Sequence, residues 1–235
     1  MAIAYETSTT PQATILVAAG GTNNVTCAMG SGTDRVALVA VHWRDRGNNV
    51  TGVTINGTSM TAAGAQVTNG NDLDSARLFY LVSPTSGSQT VAVTYSAGEI
   101  DSLAQVSCWV ASGVDQTTPI SNYASNFGSG AGASIVSSVT ITSATNNLAA
   151  AFHSTWNTTA VITATPTNYT ERQDGDDASG CSAEFGDAAG AASVATSATW
   201  SNGAYTVSWV ALGINVNAAA AGPAANDALL VIRKA

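Results

Sequence analysis

Apolar and polar residues alternate with period two through most of this chain, and no window carries a capped apolar stripe of helical period. That combination confines the fold to short, half-buried β-strands. The alternation is plain in Arg35-Val36-Ala37-Leu38-Val39-Ala40-Val41, Gln89-Thr90-Val91-Ala92-Val93-Thr94-Tyr95 and Tyr205-Thr206-Val207-Ser208-Trp209-Val210. Turn signals separate such runs: Gly20-Gly21, Arg46-Gly47-Asn48-Asn49, Asn56-Gly57, Asn69-Gly70-Asn71, Pro84 to Gly87 and Asn202-Gly203. Turns every 8–12 residues are the spacing of a β-sandwich, so the predicted class is all-β, jelly-roll or immunoglobulin-like.

The chain also matches itself. Thr33-Asp34-Arg35-Val36-Ala37 returns as Thr145-Asn146-Asn147-Leu148-Ala149, Thr94-Tyr95-Ser96 as Thr199-Trp200-Ser201, and Cys108-Trp109-Val110-Ala111 as Ser208-Trp209-Val210-Ala211. An internal duplication is therefore expected. It comprises a first β-sandwich repeat with an N-terminal arm over 1–118, a linker over 119–132 and a second β-sandwich repeat over 133–217, and periodicity leaves open whether the copies form two sandwiches or fuse into one large one. A small-residue linker and an apolar C-terminal strand follow over 218–235. In each sandwich the inner faces are expected to be apolar and the outer faces to carry Thr, Ser and Asn.

Charge excludes several function classes. Only 9% of residues are charged, with 7 Lys and Arg against 15 Asp and Glu, a net charge of −8. Nothing there could neutralise a row of phosphates, so nucleic acid is not an expected partner. No stretch approaches the roughly 18 consecutive apolar residues of a membrane-spanning helix. The N-terminal segment Met1 to Gln12 lacks the basic and apolar regions of a secretory signal, which points to synthesis in a cytoplasm.

Candidate chemistry is sparse. His42 and His153 stand near strand ends close to Trp43 and Trp156, but neither has a His, Cys or carboxylate at metal-ligand spacing, and a structural role is preferred for both. Asp72-Leu73-Asp74 and Asp174-Gly175-Asp176-Asp177 could each give a calcium ion some oxygens, but neither continues into a complete loop motif, so solvated turn carboxylates are expected. No nucleophile elbow, phosphate loop or Ser/His/Asp pattern is present, and no catalytic, cofactor-binding or metal-binding residue is assigned. Cys27, Cys108 and Cys181 show no CxxC spacing and an odd count, which suggests buried free thiols, with a Cys27–Cys108 bridge left open. Trp109 and Trp209 look like two copies of one core tryptophan. Trp43 and Trp156, beside polar loops, are the candidates for exposed glycan-stacking rings.

Phe79-Tyr80-Leu81-Val82-Ser83-Pro84, the strand ending Thr94-Tyr95-Ser96, and Ser112-Gly113-Val114-Asp115-Gln116-Thr117-Thr118-Pro119 together resemble a known domain type. It is a repeat-containing β-sandwich found in bacterial extracellular proteins and in virion proteins of tailed bacteriophages. Val53 to Thr61 resembles its hairpin, and Trp209-Val210-Ala211-Leu212-Gly213-Ile214 its closing strand, so the likeness spans residues 12–217. The resemblance implies an adhesive or structural role and carries over no catalytic residue. The expectation is a bacteriophage structural protein located in the virion, a capsid decoration or cement protein, with a tail or fibre component as the variant. Its expected partners are other virion proteins, the major capsid protein first, and further copies of itself, for which symmetric particle sites suggest a trimer. The docking candidates are Leu229, Leu230, Val231 and Ile232 together with the N-terminal segment. The alternative expectation is an adhesin or carbohydrate-binding module that recognises a cell-surface glycan through Trp43 and Trp156.

Overall fold

A computed structural model describes residues 3–17, 20–44, 49–69, 74–96, 102–156, 163–176, 181–201 and 206–220. Among these residues the protein is all-β, without a helix. The first half runs β1 (Ala4–Val17), β2 (Thr22–Ala28), β3 (Val36–Arg44), β4 (Val50–Ile55), β5 (Thr58–Ser59), β6 (Thr61–Ala62), β7 (Val67–Asn69), β8 (Asp74–Val82), β9 (Ser88–Tyr95) and β10 (Ser102–Ser112). The second half runs β11 (Ile120–Ala131), β12 (Ser134–Ile141), β13 (Leu148–Trp156), β14 (Thr163–Thr167), β15 (Thr170–Asp176), β16 (Cys181–Ala189), β17 (Val194–Ser201) and β18 (Thr206–Val216). The β4–β5 hairpin turns at Asn56-Gly57, both with positive φ (47° and 82°), as that dipeptide predicts.

The strands form four antiparallel sheets. Sheet I has the order β2-β9-β4-β5, and sheet II the order β1-β10-β3-β8-β6, with β7 also on β8. Sheet III is β11-β18-β13-β16-β15 and sheet IV is β12-β17-β14. The second half thus repeats the strand path of the first, β11-β18-β13-β16 standing where β1-β10-β3-β8 stands, and β12-β17-β14 where β2-β9-β4 stands.

Three apolar layers bind the four sheets into one stack. Val25, Cys27, Val53, Val91 and Val93 of sheet I meet Val39, Val41, Trp43, Val106 and Cys108 of sheet II. The opposite face of sheet II presents Leu38, Ala40, Leu78, Trp109 and Ala111 to Phe152, Phe185, Val210, Leu212 and Ile214 of sheet III. Sheet III packs in turn on sheet IV through Ile135, Ile141, Val194, Ala198 and Trp200. The two sandwiches are therefore fused back to back, and the central strands of sheets II and III are buried on both faces. β3 is buried along Val36 to Trp43 and β13 along Ala149 to Trp156. One-sided burial, the sequence expectation for every sheet, holds only for the outer ones, such as β12 with its strict exposed–buried alternation.

Across the central layer β1 lies over β15, β10 over β16, β3 over β13, β8 over β18 and β7 over β11. Exchanging the halves leaves that pattern unchanged, which is the arrangement of an isologous, two-fold contact made inside one chain.

Three expectations need correction. Residues 120–131 form no linker. They are β11, an edge strand paired with β18, in which Gly128 leaves room for the Trp209 ring on the strand beside it and the ladder runs on through Gly130. Trp109 and Trp209 are not equivalent. Ala111 pairs with Val36 and Val216 with Leu148, so matched positions on β10 and β18 differ by 105, and Trp109 corresponds to Ile214. Trp109 faces sheet III, whereas Trp209 packs with Ile135 and Trp200 toward sheet IV. The cysteines are not all free thiols: Cys27 on β2 and Cys108 on β10 are joined by a disulfide across the first sandwich, while Cys181 lies buried outside it. A bridge between facing strands requires inward parity on both, and β2 and β10 supply it.

Candidate functional site

Polar residues that the alternation sends inward from sheets II and III gather at one end of the central layer. His42 on β3, Asp74 at the start of β8, Gln105 on β10 and Cys181 at the start of β16 are each no more than 1% exposed. Gln105 is the cross-strand partner of His42, which sets the two side chains side by side on one face. His42 Nε2 is hydrogen-bonded to Asp74 Oδ1, and its Nδ1 lies 3.4 Å from the Sγ of Cys181. Gln105 Nε2 donates to the carbonyl oxygens of Cys181 (2.9 Å) and Gly175 (3.2 Å). Burial alone would keep His42 neutral, but negative charge on Cys181 and on Asp74 outweighs it and holds the imidazole pKa well above its ordinary value. The arrangement is a thiol, a base and a carboxylate that orients the base.

These residues are 32 and 139 positions apart, so no local motif announces them. The only sequence signal is that three of them stand on inward-parity positions at strand ends, and the topology is needed to bring those ends together. Asp74 is accordingly not the solvated turn carboxylate expected of Asp72-Leu73-Asp74. It is fully buried because β8 begins there, between β3 and the second half. Among the described residues, no group of three or more His, Cys, Asp or Glu side chains is placed to hold a metal ion.

Trp43 and Trp156 do not present exposed rings. Trp43 is fully buried in the layer between sheets I and II. Trp156 is 6% exposed and is capped by the Arg44 guanidinium 5.2 Å above its ring. Each sits at the last turn of a strand that is covered on both faces, so proximity to a polar loop does not expose it. The expected glycan platform therefore lacks its two stacking surfaces. Leu229, Leu230, Val231 and Ile232 lie outside the described residues.

His153 is no counterpart of His42. It points the other way, between sheets III and IV, where Ser137 Oγ is 2.9 Å from Nδ1, Thr196 Oγ1 is 3.2 Å from Nε2 and Tyr169 stacks at 5.4 Å. Burial pushes its pKa down to about 3, so it stays neutral. Glu184, its cross-strand partner on β16, is buried in the same layer, and its two carboxyl oxygens have no hydrogen-bond partner among the described residues. Asp174 is its partner on the β15 side. Burial raises the Glu184 pKa to about 8 from an ordinary 4.5. A raised folded-state pKa contributes stability that is complete below about pH 4.5 and is lost as pH climbs toward 8. Glu184→Gln is expected to abolish that slope, so that the variant gains stability relative to the wild type as pH rises. Urea unfolding of both proteins at pH 4.5 and pH 7.5 checks this, and parallel pH profiles would refute it.

The outer sheets are built differently. No Asp, Glu, Lys or Arg occurs in any strand of sheet I, whose sequences are TNNVTCA, VTGVTI, TS and SQTVAVTY. None occurs in sheet IV either, whose strands are SIVSSVTI, TATPT and VATSATWS. Their solvent faces expose Asn24, Thr26 and Thr90 on one side of the stack, and Ser134, Val136, Ser138 and Thr140 on the other. Two pleated, hydroxyl-rich, uncharged faces thus look outward from opposite ends of the four-sheet stack.

Comparison with protein-family models, curated proteins and solved structures gave no match to this chain.

Proposed function

We propose that the chain is a structural protein of a bacteriophage particle, a capsid decoration or cement protein whose two outer β faces dock on neighbouring subunits. The observation that carries this reading is the absence of charged residues from every strand of both outer sheets. An ion taken out of water on docking costs several kcal/mol unless it is well paired, whereas Thr and Ser hydroxyls can exchange water for a partner at little net cost. Two such faces on opposite sides suit a protein that bridges neighbours. The repeated strand path supports a duplicated origin of the halves, which would give each half one docking face. The Cys27–Cys108 disulfide also fits a protein that works outside the reducing interior of a cell.

A charge placed on either face tests the reading. Thr26→Glu on sheet I and Ser138→Glu on sheet IV stand at exposed positions and are expected to change unfolding free energy by less than about 0.5 kcal/mol. Each is expected to weaken binding to particles depleted of the protein by about tenfold or more, as a charge desolvated at a docking face requires. Undiminished binding by both variants would exclude these faces. Deleting residues 224–235 separately tests the apolar segment Leu229 to Ile232 as a docking arm, and unchanged particle binding would remove it from the proposal.

A further inference from the structure

The buried cluster at the centre of the stack supports a reaction independent of the docking proposal. Cys181 Sγ stands 3.4 Å from a histidine nitrogen whose ring is fixed from its other side by Asp74. The carboxamide of Gln105, beside that histidine in register, reaches across the same layer to the backbone of Cys181 itself. A nucleophile, a proton carrier, an orienting carboxylate and a carbonyl carbon are thus together. All are no more than 1% exposed, so a solute from bulk water is a poor substrate and a group of the chain itself is a better one. Gln105 Oε1 has no hydrogen-bond partner among the described residues. A buried amide carbonyl left unpaired is costly, and a thioester carbonyl, a weaker acceptor, tolerates that surrounding better.

We propose that Cys181 and Gln105 form an internal thioester that ties β10 to β16 and so joins the two sandwiches covalently. The Sγ attacks Cδ of Gln105, and His42 carries the thiol proton. The Cδ–Nε2 bond then breaks as the nitrogen takes that proton from His42 Nδ1, and ammonia leaves. Thiol and primary amide become thioester and ammonia, with no change of oxidation state and no other reactant. Exclusion of water from the layer protects the product from hydrolysis, which would otherwise leave Glu at position 105 and restore the thiol.

Intact mass spectrometry of the full-length protein, denatured as isolated, tests this directly. The expected mass is one ammonia below that of the sequence with its disulfide, with the loss mapping to a linked pair of peptides from β10 and β16. After treatment with a phosphine reductant in denaturant, alkylation is expected to find two thiols of the 3 cysteines, and hydroxylamine to release the third. Cys181→Ser is expected to show the full mass of its own sequence, with no ammonia lost, while keeping the wild-type β circular dichroism, and Asp74→Asn to slow the ammonia loss. Three alkylatable thiols and the full mass in the wild-type protein would overturn the proposal, whatever the variants do. So would an ammonia loss that persists in Cys181→Ser, since Asn56-Gly57 or another Asn-Gly pair would then be its source.

Discussion

Trp109→Ala is expected to lower the unfolding free energy by about 4 kcal/mol, the cost of emptying a fully packed tryptophan site. Trp109 has no exposed surface. It lies between Tyr5 and Phe185, at ring-centroid distances of 6.3 and 6.1 Å, in the layer that joins the sandwiches. Its indole Nε1 also donates to Asp187 Oδ2 at 3.1 Å. Asp187 would not be orphaned by the substitution, because Arg172 grips both its oxygens at 2.7 and 3.0 Å while stacking on Tyr5. The loss is therefore one of packing, and Trp109→Phe, which keeps a ring but no donor, should cost only about 1–2 kcal/mol. Since both halves contribute to this layer, the wild-type protein should unfold in one transition, and Trp109→Ala should begin to separate the halves. Urea unfolding followed by circular dichroism and by tryptophan fluorescence measures both effects. A loss below 1 kcal/mol would place Trp109 outside a shared layer.

Loss of the Cys27–Cys108 disulfide should be of similar size. The bridge spans a sequence separation of 81. Closing a loop of that length restricts the unfolded chain by about 4 kcal/mol in the chain-entropy description. The bridged residues lie in the core of the first sandwich at 1% and 0% exposure, so replacing both by Ala adds a packing loss to the entropic one. Reduction alone isolates the entropic part. Unfolding free energies with and without a phosphine reductant are expected to differ by that amount, with a steeper transition once the unfolded chain is free to expand. Identical free energies would mean that the bridge constrains nothing.

The strands were legible in the sequence because alternation and turn residues are local. Asn56-Gly57 marks its hairpin and β12 shows its buried face one residue at a time. The stacking of four sheets was not. The alternation expected of β3 fails, because Val36 to Val41 are all apolar; such a run goes with burial on both faces, yet it cannot say which sheet supplies the second cover. The repeated tryptophan motif misled for a related reason. A match in residue type carries no information about parity, and the ladder registers put Trp109 and Trp209 on opposite sides of their sheets. Neighbouring polar loops suggest exposure for Trp43 and Trp156, although their own strands are covered front and back. The His42, Asp74, Gln105 and Cys181 cluster lay furthest from reach, since it exists only once β16 of one half lies over β10 of the other.

The copy number of the chain in purified particles from its source, measured by quantitative mass spectrometry against a major coat component, tests the proposed function most directly. A cement protein docking through two uncharged faces at symmetric sites should be present at on the order of hundreds of copies per particle. Absence from the particles, with the protein recovered only in free form, would contradict it.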